Sequence, residues 1–223
     1  QKFEDIVALV SLFRPGPMDS IKEYANRKEG KLKISYPTKE LEEVLAPTYG
    51  IIIYQEQINK IAQVVAGFTP SAADIFRRAI SKKVKEKILA AKEEFIQGSI
   101  KNGYKQEVAL DIFERILKFA NYGFNKSHAV VYSIIACRLA YLKAYYPLEF
   151  YSAILQIGSS TNDTKFNEYI SEMKKRDFAI YNPDINESQL VFDVKEGGKE
   201  WELRLCVRMN VLSPLKATQT IRL

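Results

Sequence analysis

Apolar residues in the first two thirds of the chain recur every three to four positions, the spacing of the buried face of a helix. Four such stripes predict four helices: Ile58, Ile61, Ala62 and Val65; Ile75, Phe76, Ala79 and Ile80; Ile88, Phe95, Ile96 and Ile100; and Val108, Ile112, Ile116, Leu117 and Ala120. We expect Ser71 to cap the second helix. Gly67 and Asn102-Gly103 are stop signals for the first and third. The pattern therefore predicts a mainly α-helical bundle.

A fifth helix is predicted from Ala129 to about Tyr145, with Ser127 as its cap. Its sequence is apolar on nearly every face, so we expect it to lie at the centre of the bundle. Pro147 ends it and begins a shorter helix that runs through Leu155.

Beyond Gly158 the pattern changes to one more amphipathic helix, followed by two alternating segments around a Gly-Gly pair that is typical of a hairpin turn. The helix carries Phe166, Tyr169, Ile170 and Met173, and the alternating segments are residues 189–194 and 200–207. We therefore predict a helical domain over residues 1–160. Residues 161–223 are predicted to form a linker helix and a small α/β hairpin appendage.

Composition excludes several kinds of site. The two cysteines, Cys137 and Cys206, are far apart in sequence, and His128 is the one histidine of the 223 residues, so neither a zinc site nor a disulfide framework is expected. No segment reaches the roughly 18 uninterrupted apolar residues of a membrane span. The chain begins with Gln1 and shows no signal peptide. We expect a cytoplasmic piece of a longer chain, with no membrane partner.

The net charge of +6 is concentrated in one segment. Residues 77–92 contain seven basic residues against the single acid Glu86, which is +6 within 16 residues. A solvated helix face would explain such a run. However, Arg77-Arg78 and Lys82-Lys83 flank the junction of two predicted helices, where amide groups and a helix dipole add to the positive charge. The cluster is suited to a triphosphate or a nucleic-acid backbone.

A second donor-rich segment, Tyr122-Gly123-Phe124-Asn125-Lys126-Ser127-His128, precedes the fifth predicted helix. Glycine allows a ligand to approach the backbone, and the four residues that follow Phe124 carry donors suited to anionic oxygens. The alternative is a capped connection between helices, with His128 as a structural donor.

Two weaker candidates lie earlier in the chain. In Arg14-Pro15-Gly16-Pro17, two prolines stiffen a loop from which an arginine is expected to point outward, although a structural turn is the default interpretation of such a segment. Tyr54-Gln55-Glu56-Gln57 follows a strand-like run of three isoleucines. These polar side chains suit either a contact with a base or a buried polar network.

Together these segments resemble the fingers region of the C-family bacterial replicative DNA polymerases, the DNA polymerase III alpha subunits. The resemblance rests on five ordered motifs within about residues 3–155: Leu12 to Met18, Tyr49 to Gln57, Ala73 to Lys83, Phe119 to Ala129 and Leu142 to Phe150. Residues 182–186 also resemble the stretch that leads toward that family's helix-hairpin-helix region. Past Leu205 the similarity weakens, because the expected glycine-containing hairpin is absent.

The resemblance implies that the chain is a multi-helix fingers bundle that binds the incoming dNTP and the primer-template DNA. Arg77, Arg78, Lys82, Lys83, Asn125, Lys126, Ser127 and His128 would bind the nucleotide phosphates, with His128 a possible proton donor to pyrophosphate. Arg14, Tyr54, Gln55 and Gln57 would contact DNA. Other replisome subunits are the remaining partners that the family implies.

The sequence lacks the Asp-x-Asp carboxylates that hold the catalytic metal ions of such a polymerase. We therefore expect this segment to bind no cofactor, to have no activity by itself, and to depend on Mg²⁺ held by a palm domain elsewhere. Two alternatives stay open: a non-enzymatic module that binds nucleic acid without sequence preference, and a structural or partner-docking bundle with a solvated basic face.

Overall fold

The computed structural model describes residues 2–82, 84–120, 122–161, 165–181, 193–197 and 200–204. The chain divides into two compact units, residues 1–135 and 136–223.

The described residues form ten α-helices and three β-strands, which confirms the prediction of a mainly α fold. The helices are α1 (Phe3–Leu12), α2 (Ser20–Lys28), α3 (Glu42–Leu45), α4 (Gln55–Ala66), α5 (Pro70–Ser81), α6 (Lys85–Lys101), α7 (Gln106–Ala120), α8 (Lys126–Tyr145), α9 (Pro147–Thr161) and α10 (Phe166–Lys175). The strands are β1 (Ala179–Tyr181), β2 (Asp193–Gly197) and β3 (Glu200–Arg204). Within this part of the chain, no helix is both long and apolar enough to cross a bilayer.

The larger core of the first unit lies among α4, α5, α6 and α7. Phe76 and Phe95 stack with ring centroids 5.3 Å apart, and Phe113 packs 6.0 Å from Phe95. The predicted stripes supply most of this core. Two assignments were wrong: Ile75 is 68% exposed and Ile100 is 42% exposed. The inward positions are spaced three or four residues apart and end at Ile80 in α5 and Ser99 in α6, so these two isoleucines turn to solvent.

A second core joins α1 and α2 to the extended residues 51–54 and the first turn of α8. Asp5 is a buried charge beside it. Its carboxylate accepts hydrogen bonds from Lys28 Nζ at 2.6 Å, the Lys2 amide at 2.9 Å and the Tyr24 hydroxyl at 3.1 Å. Burial alone would raise the pKa of Asp5, but the hydrogen bonds, chiefly that from Lys28, lower it below its ordinary value. The ion pair therefore ties α1 to α2.

The two predicted helix caps were wrong, each by two residues. Thr69, not Ser71, caps α5: its hydroxyl accepts from the Ala72 amide at 3.2 Å, and Pro70 is the first residue of the helix. At α8, Asn125 Oδ1 accepts from the His128 amide at 2.8 Å, so Asn125 rather than Ser127 is the cap. In both cases the helix starts earlier than the apolar stripe indicates, because the first turn projects from the core.

The predicted central position of α8 is also wrong. Of its 20 residues, Ala129 and Ser133 are buried, whereas a row of large apolar side chains is exposed. This row, called the α8 apolar face below, comprises Val131, Tyr132, Ile134, Ile135, Leu139, Tyr141 and Leu142. A helix that is apolar all round normally lies inside a protein. The described residues cover only one narrow side of this one.

The second unit has a small core of its own, formed by α9, α10 and β1. Tyr151 and Leu155 of α9 and Met173 of α10 are each 0% exposed. Met173 belongs to the predicted stripe of α10, whose other members are partly buried against this core. The strands pair in the order β1-β3-β2, with β1 parallel to β3 and β2 antiparallel to β3. The domain boundary near residue 160 stays a prediction, since α9 continues to Thr161 and residues 162–164 lie outside the described ranges. Residues 182–186 and those past Leu205 lie outside them as well.

Candidate functional site

Two of the segments singled out in the sequence lie side by side in the first unit. The Phe124 amide donates to the Ile53 carbonyl at 3.0 Å, and the Gln55 amide donates to the Phe124 carbonyl at 2.9 Å. Tyr54 and Phe124 thereby form an isolated parallel bridge. The extended run of isoleucines was predicted as strand-like, and its polar continuation contacts the donor-rich loop at this bridge.

Gln55 joins this loop to the arginine cluster. Its Oε1 accepts from Arg77 Nη1 at 3.1 Å, and its Nε2 donates to the Gly123 carbonyl at 3.0 Å. Gly123 leaves room for this contact, since a Cβ there would stand 3.3 Å from Gln55 Cγ. One side chain therefore connects Arg77, in one of the predicted phosphate-binding clusters, to the loop that carries the other, and the residues joined in this way are here called the Gln55 surface. It comprises the end of α5 and residues 122–128.

The two arginines of α5 share one carboxylate. Asp74 Oδ1 accepts from Arg77 Nη2 at 2.6 Å, and Asp74 Oδ2 accepts from Arg78 Nη2 at 2.7 Å. The hydrogen bond from Arg77, together with the nearby charge of both arginines, lowers the pKa of Asp74. The Arg77 side chain is 16% exposed and that of Arg78 is 67% exposed. Arg77 is thus fixed between Asp74 and Gln55, while Arg78 faces solvent.

Three lysines of the basic segment, Lys82, Lys85 and Lys87, are exposed. Lys82 is exposed just past the end of α5. With Arg78 and Lys87 it lines a shallow depression whose apolar side is formed by Ile75 and Ala79. Lys83, predicted as a fourth phosphate ligand, lies outside the described residues. The depression brings three cationic side chains together beside the exposed face of α5.

Asn125, Lys126, Ser127 and His128 are all exposed at the start of α8. Two of the backbone amides there are already occupied: Glu56 accepts from the Lys126 amide at 3.0 Å, and Asn125 accepts from the His128 amide at 2.8 Å. The donors expected at this helix start are therefore mainly side chains. Lys126 Nζ lies 5.5 Å from the centre of the Tyr54 ring, and the His128 ring lies 4.3 Å from that of Tyr132.

Gln57 is buried, and its polar atoms are used within the chain. Oε1 accepts from the Ile53 and Tyr54 amides at 2.8 and 3.0 Å, while Nε2 donates to Thr48 Oγ1 at 2.7 Å and to the Val44 carbonyl at 3.2 Å. This is the buried polar network left open as the alternative to a base contact. Tyr54 is only 4% exposed, and burial raises its pKa to about 12.

Arg14 does not point outward as expected. Its guanidinium carbon lies 4.7 Å from the centre of the Phe124 ring, Nε donates to the Ser11 carbonyl at 2.9 Å, and Nη2 donates to the Tyr122 carbonyl. The side chain is thus directed at the donor-rich loop.

Two residues of this site, Asp74 and Glu56, were not predicted. Asp74 stands three and four positions before the arginines, a spacing that brings side chains together on a helix, so this ion pair could have been read from the sequence. The bond between Glu56 and the Lys126 amide spans 70 residues and leaves no local signal. Among the described residues, no three carboxylate, histidine or cysteine side chains gather where they could hold a metal ion.

Comparison with known proteins gives one consistent result. Over 210 residues the chain is 45% identical to the DNA polymerase III subunit alpha of Bacillus subtilis, covering 93% of this chain and 19% of that protein. It is 45% identical over 203 residues to that of Campylobacter jejuni and 42% identical over 203 residues to that of Vibrio cholerae, covering 90% and 88% of this chain and 17% of each relative. The chain therefore spans less than a fifth of the length of these relatives.

A family comparison agrees with the relatives and with the resemblance found in the motifs. Residues 1–103 match the family described as "Bacterial DNA polymerase III alpha subunit finger domain". These residues include α1 to α6 together with Gln55, Asp74 and the arginines of the Gln55 surface, whereas residues 122–128 lie outside the match. Through residues 1–103, the chain belongs to the finger-domain family of the bacterial DNA polymerase III alpha subunit.

Proposed function

We propose that the Gln55 surface binds the triphosphate of the incoming dNTP, as part of the fingers of a DNA-directed DNA polymerase in bacterial replication. The observation that carries the proposal is the pair of hydrogen bonds by which Gln55 joins Arg77 to Gly123. These bonds tie the helix that carries the α5 cations to the loop that leads into the exposed donors at the start of α8. Phosphate oxygens are the ligands that guanidinium and ammonium groups prefer in such clusters.

The contacts within the chain give the cations different roles in binding phosphate. Arg78 and Lys82 face solvent and can turn to a phosphate, whereas Arg77, held by Asp74 and Gln55, orients the cluster. Lys126 and His128, both exposed at the start of α8, would complete the site, with His128 as the donor of a proton to the pyrophosphate that leaves. Lys83, Asn125 and Ser127 remain proposed ligands beside them.

Asp74 regulates how freely the arginines are available. A triphosphate that approaches Arg78 competes with Asp74, which keeps Arg77 as its second partner at 2.6 Å. The carboxylate thus prevents the two like charges from repelling each other when no nucleotide is bound, and releases one of them to the ligand. Because Asp74 is partly exposed, solvent screens this exchange and keeps its cost small.

The chain supplies binding groups and no metal ligands in this proposal. The Mg²⁺ ions that align a primer hydroxyl with the α-phosphate would be held by carboxylates outside this chain, and the segment alone would be inactive. We assign Tyr54 and Gln57 to the support of the surface, and Gln55 to its connection. Primer-template DNA, other replisome subunits and a cytoplasmic location complete the proposal.

The test replaces Arg78 with alanine in the full-length protein. Loss of one charge-assisted contact to phosphate should reduce dNTP incorporation by about 10-fold to 150-fold, which corresponds to about 1.5 to 3 kcal/mol. Primer-template affinity should change little. Arg115→Ala is the matched control, because Arg115 also forms an (i, i+4) ion pair on an exposed helix face, with Asp111 at 2.8 Å. Incorporation kinetics equal to those of the control would refute the proposed site, since Arg78 is the arginine of α5 that is free to turn to a phosphate.

The second candidate function is sequence-independent binding of a nucleic-acid backbone. It is favoured by the exposure of Lys82, Lys85 and Lys87, which continue the charge of Arg78 past the end of α5. Backbone binding by the chain alone should weaken steeply with salt, by about one unit in log-log slope for each phosphate contacted. If the surface is a triphosphate site instead, the chain alone should bind DNA weakly, and added dNTP should slow amide hydrogen exchange at the Gln55 surface.

A further inference from the structure

Arg14 and the donor-rich loop form a contact across 108 residues of sequence. Arg14 donates from Nε to the Ser11 carbonyl at 2.9 Å and from Nη2 to the Tyr122 carbonyl, while the face of its guanidinium lies 4.7 Å from the centre of the Phe124 ring. Two edges and one face of this planar group are therefore engaged within the chain. The side chain is only partly exposed, so these contacts are shielded from water in part.

Gly16, two residues after Arg14, completes the fit between the two loops. It has φ of +102°, a conformation that favours glycine, and a Cβ at this position would overlap the Tyr122 ring. The ring thus rests on the backbone of the Arg14-Pro17 turn. Two adjoining contacts of this turn therefore hold the loop: Arg14 stacks on the Phe124 ring, and the Gly16 backbone packs against the Tyr122 ring.

The extended segment before α4 and Gln55, the first residue of that helix, also hold the loop. The Phe124 amide and carbonyl bond to Ile53 and Gln55, and the Gly123 carbonyl accepts from Gln55 Nε2. Residues 122–124 are thus clamped between Arg14 and Gln55. Asn125 follows directly and caps α8, so the clamp fixes where Lys126 and His128 stand.

We propose that Arg14 is a positioning residue for the nucleotide site: it holds residues 122–124 in place and thereby orients Lys126 and His128 toward the incoming triphosphate. This inference rests on the function proposed above for the Gln55 surface. It replaces the expectation that Arg14 binds a phosphate of the DNA backbone, since the guanidinium is already directed at Tyr122 and Phe124.

The geometry requires arginine rather than positive charge alone. A lysine ammonium would keep the charge, but it lacks the planar face that stacks on Phe124 and the fixed fork that reaches both the Ser11 and Tyr122 carbonyls. A phosphate ligand on an exposed loop would tolerate lysine, because a backbone phosphate accepts either cation. Arg14→Lys therefore separates positioning from phosphate binding.

The experiment uses the full-length protein with Arg14→Lys and Arg14→Gln, and with Arg115→Lys as the matched control. Single-nucleotide incorporation is measured over a range of dNTP concentrations, and primer-template affinity at several salt concentrations. We expect both Arg14 variants to lose about tenfold or more in incorporation efficiency, with the salt slope of primer-template binding unchanged. Parent-like incorporation by Arg14→Lys, with Arg14→Gln lowering that slope by about one unit, would overturn the proposal.

Amide hydrogen exchange tests the clamp without activity. In both Arg14 variants, exchange at Phe124, Gln55 and His128 should accelerate, while the core amides of α4 and α7 keep their protection. Unchanged exchange at Phe124 would overturn the positioning role whatever the kinetics show. Arg78→Ala distinguishes the two proposals: if it leaves incorporation intact, the nucleotide site is refuted, while the exchange result still decides whether Arg14 holds the loop.

Discussion

The buried amide of Gln57 gives the sharpest stability prediction. Four hydrogen bonds converge on it: from the Ile53 and Tyr54 amides at 2.8 and 3.0 Å, and to Thr48 Oγ1 and the Val44 carbonyl at 2.7 and 3.2 Å. Gln57→Ala removes all four hydrogen bonds at once. The two amides belong to the extended segment that pairs with Phe124, so the loss of these hydrogen bonds acts directly beside Gln55 and the donor-rich loop.

The size of the effect follows from the groups left without partners. Each buried amide that loses its acceptor costs about 1 to 3 kcal/mol, and water entering the vacated space recovers part of this. We therefore expect Gln57→Ala to lower the free energy of unfolding by about 2 to 5 kcal/mol.

The assay is urea unfolding followed by circular dichroism at the helix band, read together with hydrogen exchange at the Ile53 and Tyr54 amides. Gln97→Ala is the control: Gln97 is exposed on α6, and surface changes of this kind stay within about 0.5 kcal/mol. If Gln57→Ala costs no more than Gln97→Ala, or if the two amides keep their protection, the buried network does not hold the segment and the reasoning is refuted.

Two further predictions concern the cores. Asp5→Asn should cost about 1.5 to 3 kcal/mol at neutral pH by removing the charged acceptor of Lys28. Because the folded pKa of Asp5 lies below its ordinary value of 3.8, this stabilisation is present above that value and is lost as pH falls through the folded pKa. Thermal melts should therefore show the gap between parent and variant closing in acid, and a gap independent of pH would contradict the ion pair. Gly98→Ala should lower the free energy of unfolding by about 1 to 3 kcal/mol, although alanine has the better helix propensity. The reason is that its Cβ would stand 2.5 Å from the Ala66 carbonyl oxygen. A higher melting temperature of the variant would contradict this and show that α4 and α6 can separate freely.

The helices of the first unit could be predicted because their signal is local. Phe95 and Ile116 recur on stripes that point into one core, and Gly67 ends α4 with φ of +68°, as a stop signal should. The caps were harder to predict, because serine is as common a helix cap as threonine or asparagine, the residue types of Thr69 and Asn125. Pro after Thr69 was the usable clue, because proline is favoured in the first position of a helix.

The candidate site was predictable in its members but not in its connections. The cations were visible as a run of like charge, whereas the bond from Gln55 to Gly123 joins residues 68 positions apart and has no local trace. Arg14 was misjudged for the same reason, since Tyr122 and Phe124, which draw its guanidinium toward the loop, lie more than a hundred residues away. The hydrophobic pattern also gave the wrong position for α8. Apolar side chains indicate that a surface is unfavourable in water, but not which part of a protein covers it.

The α8 apolar face decides how experiments on the chain alone must be designed. Side chains such as Val131 and Tyr132, 55% and 53% exposed, form the kind of patch through which chains self-associate. Association of chains multiplies their charge, so an aggregate would bind DNA more tightly than one chain and imitate a backbone-binding protein. A salt titration therefore discriminates between the two proposed functions only when the measured affinity is shown to be independent of protein concentration.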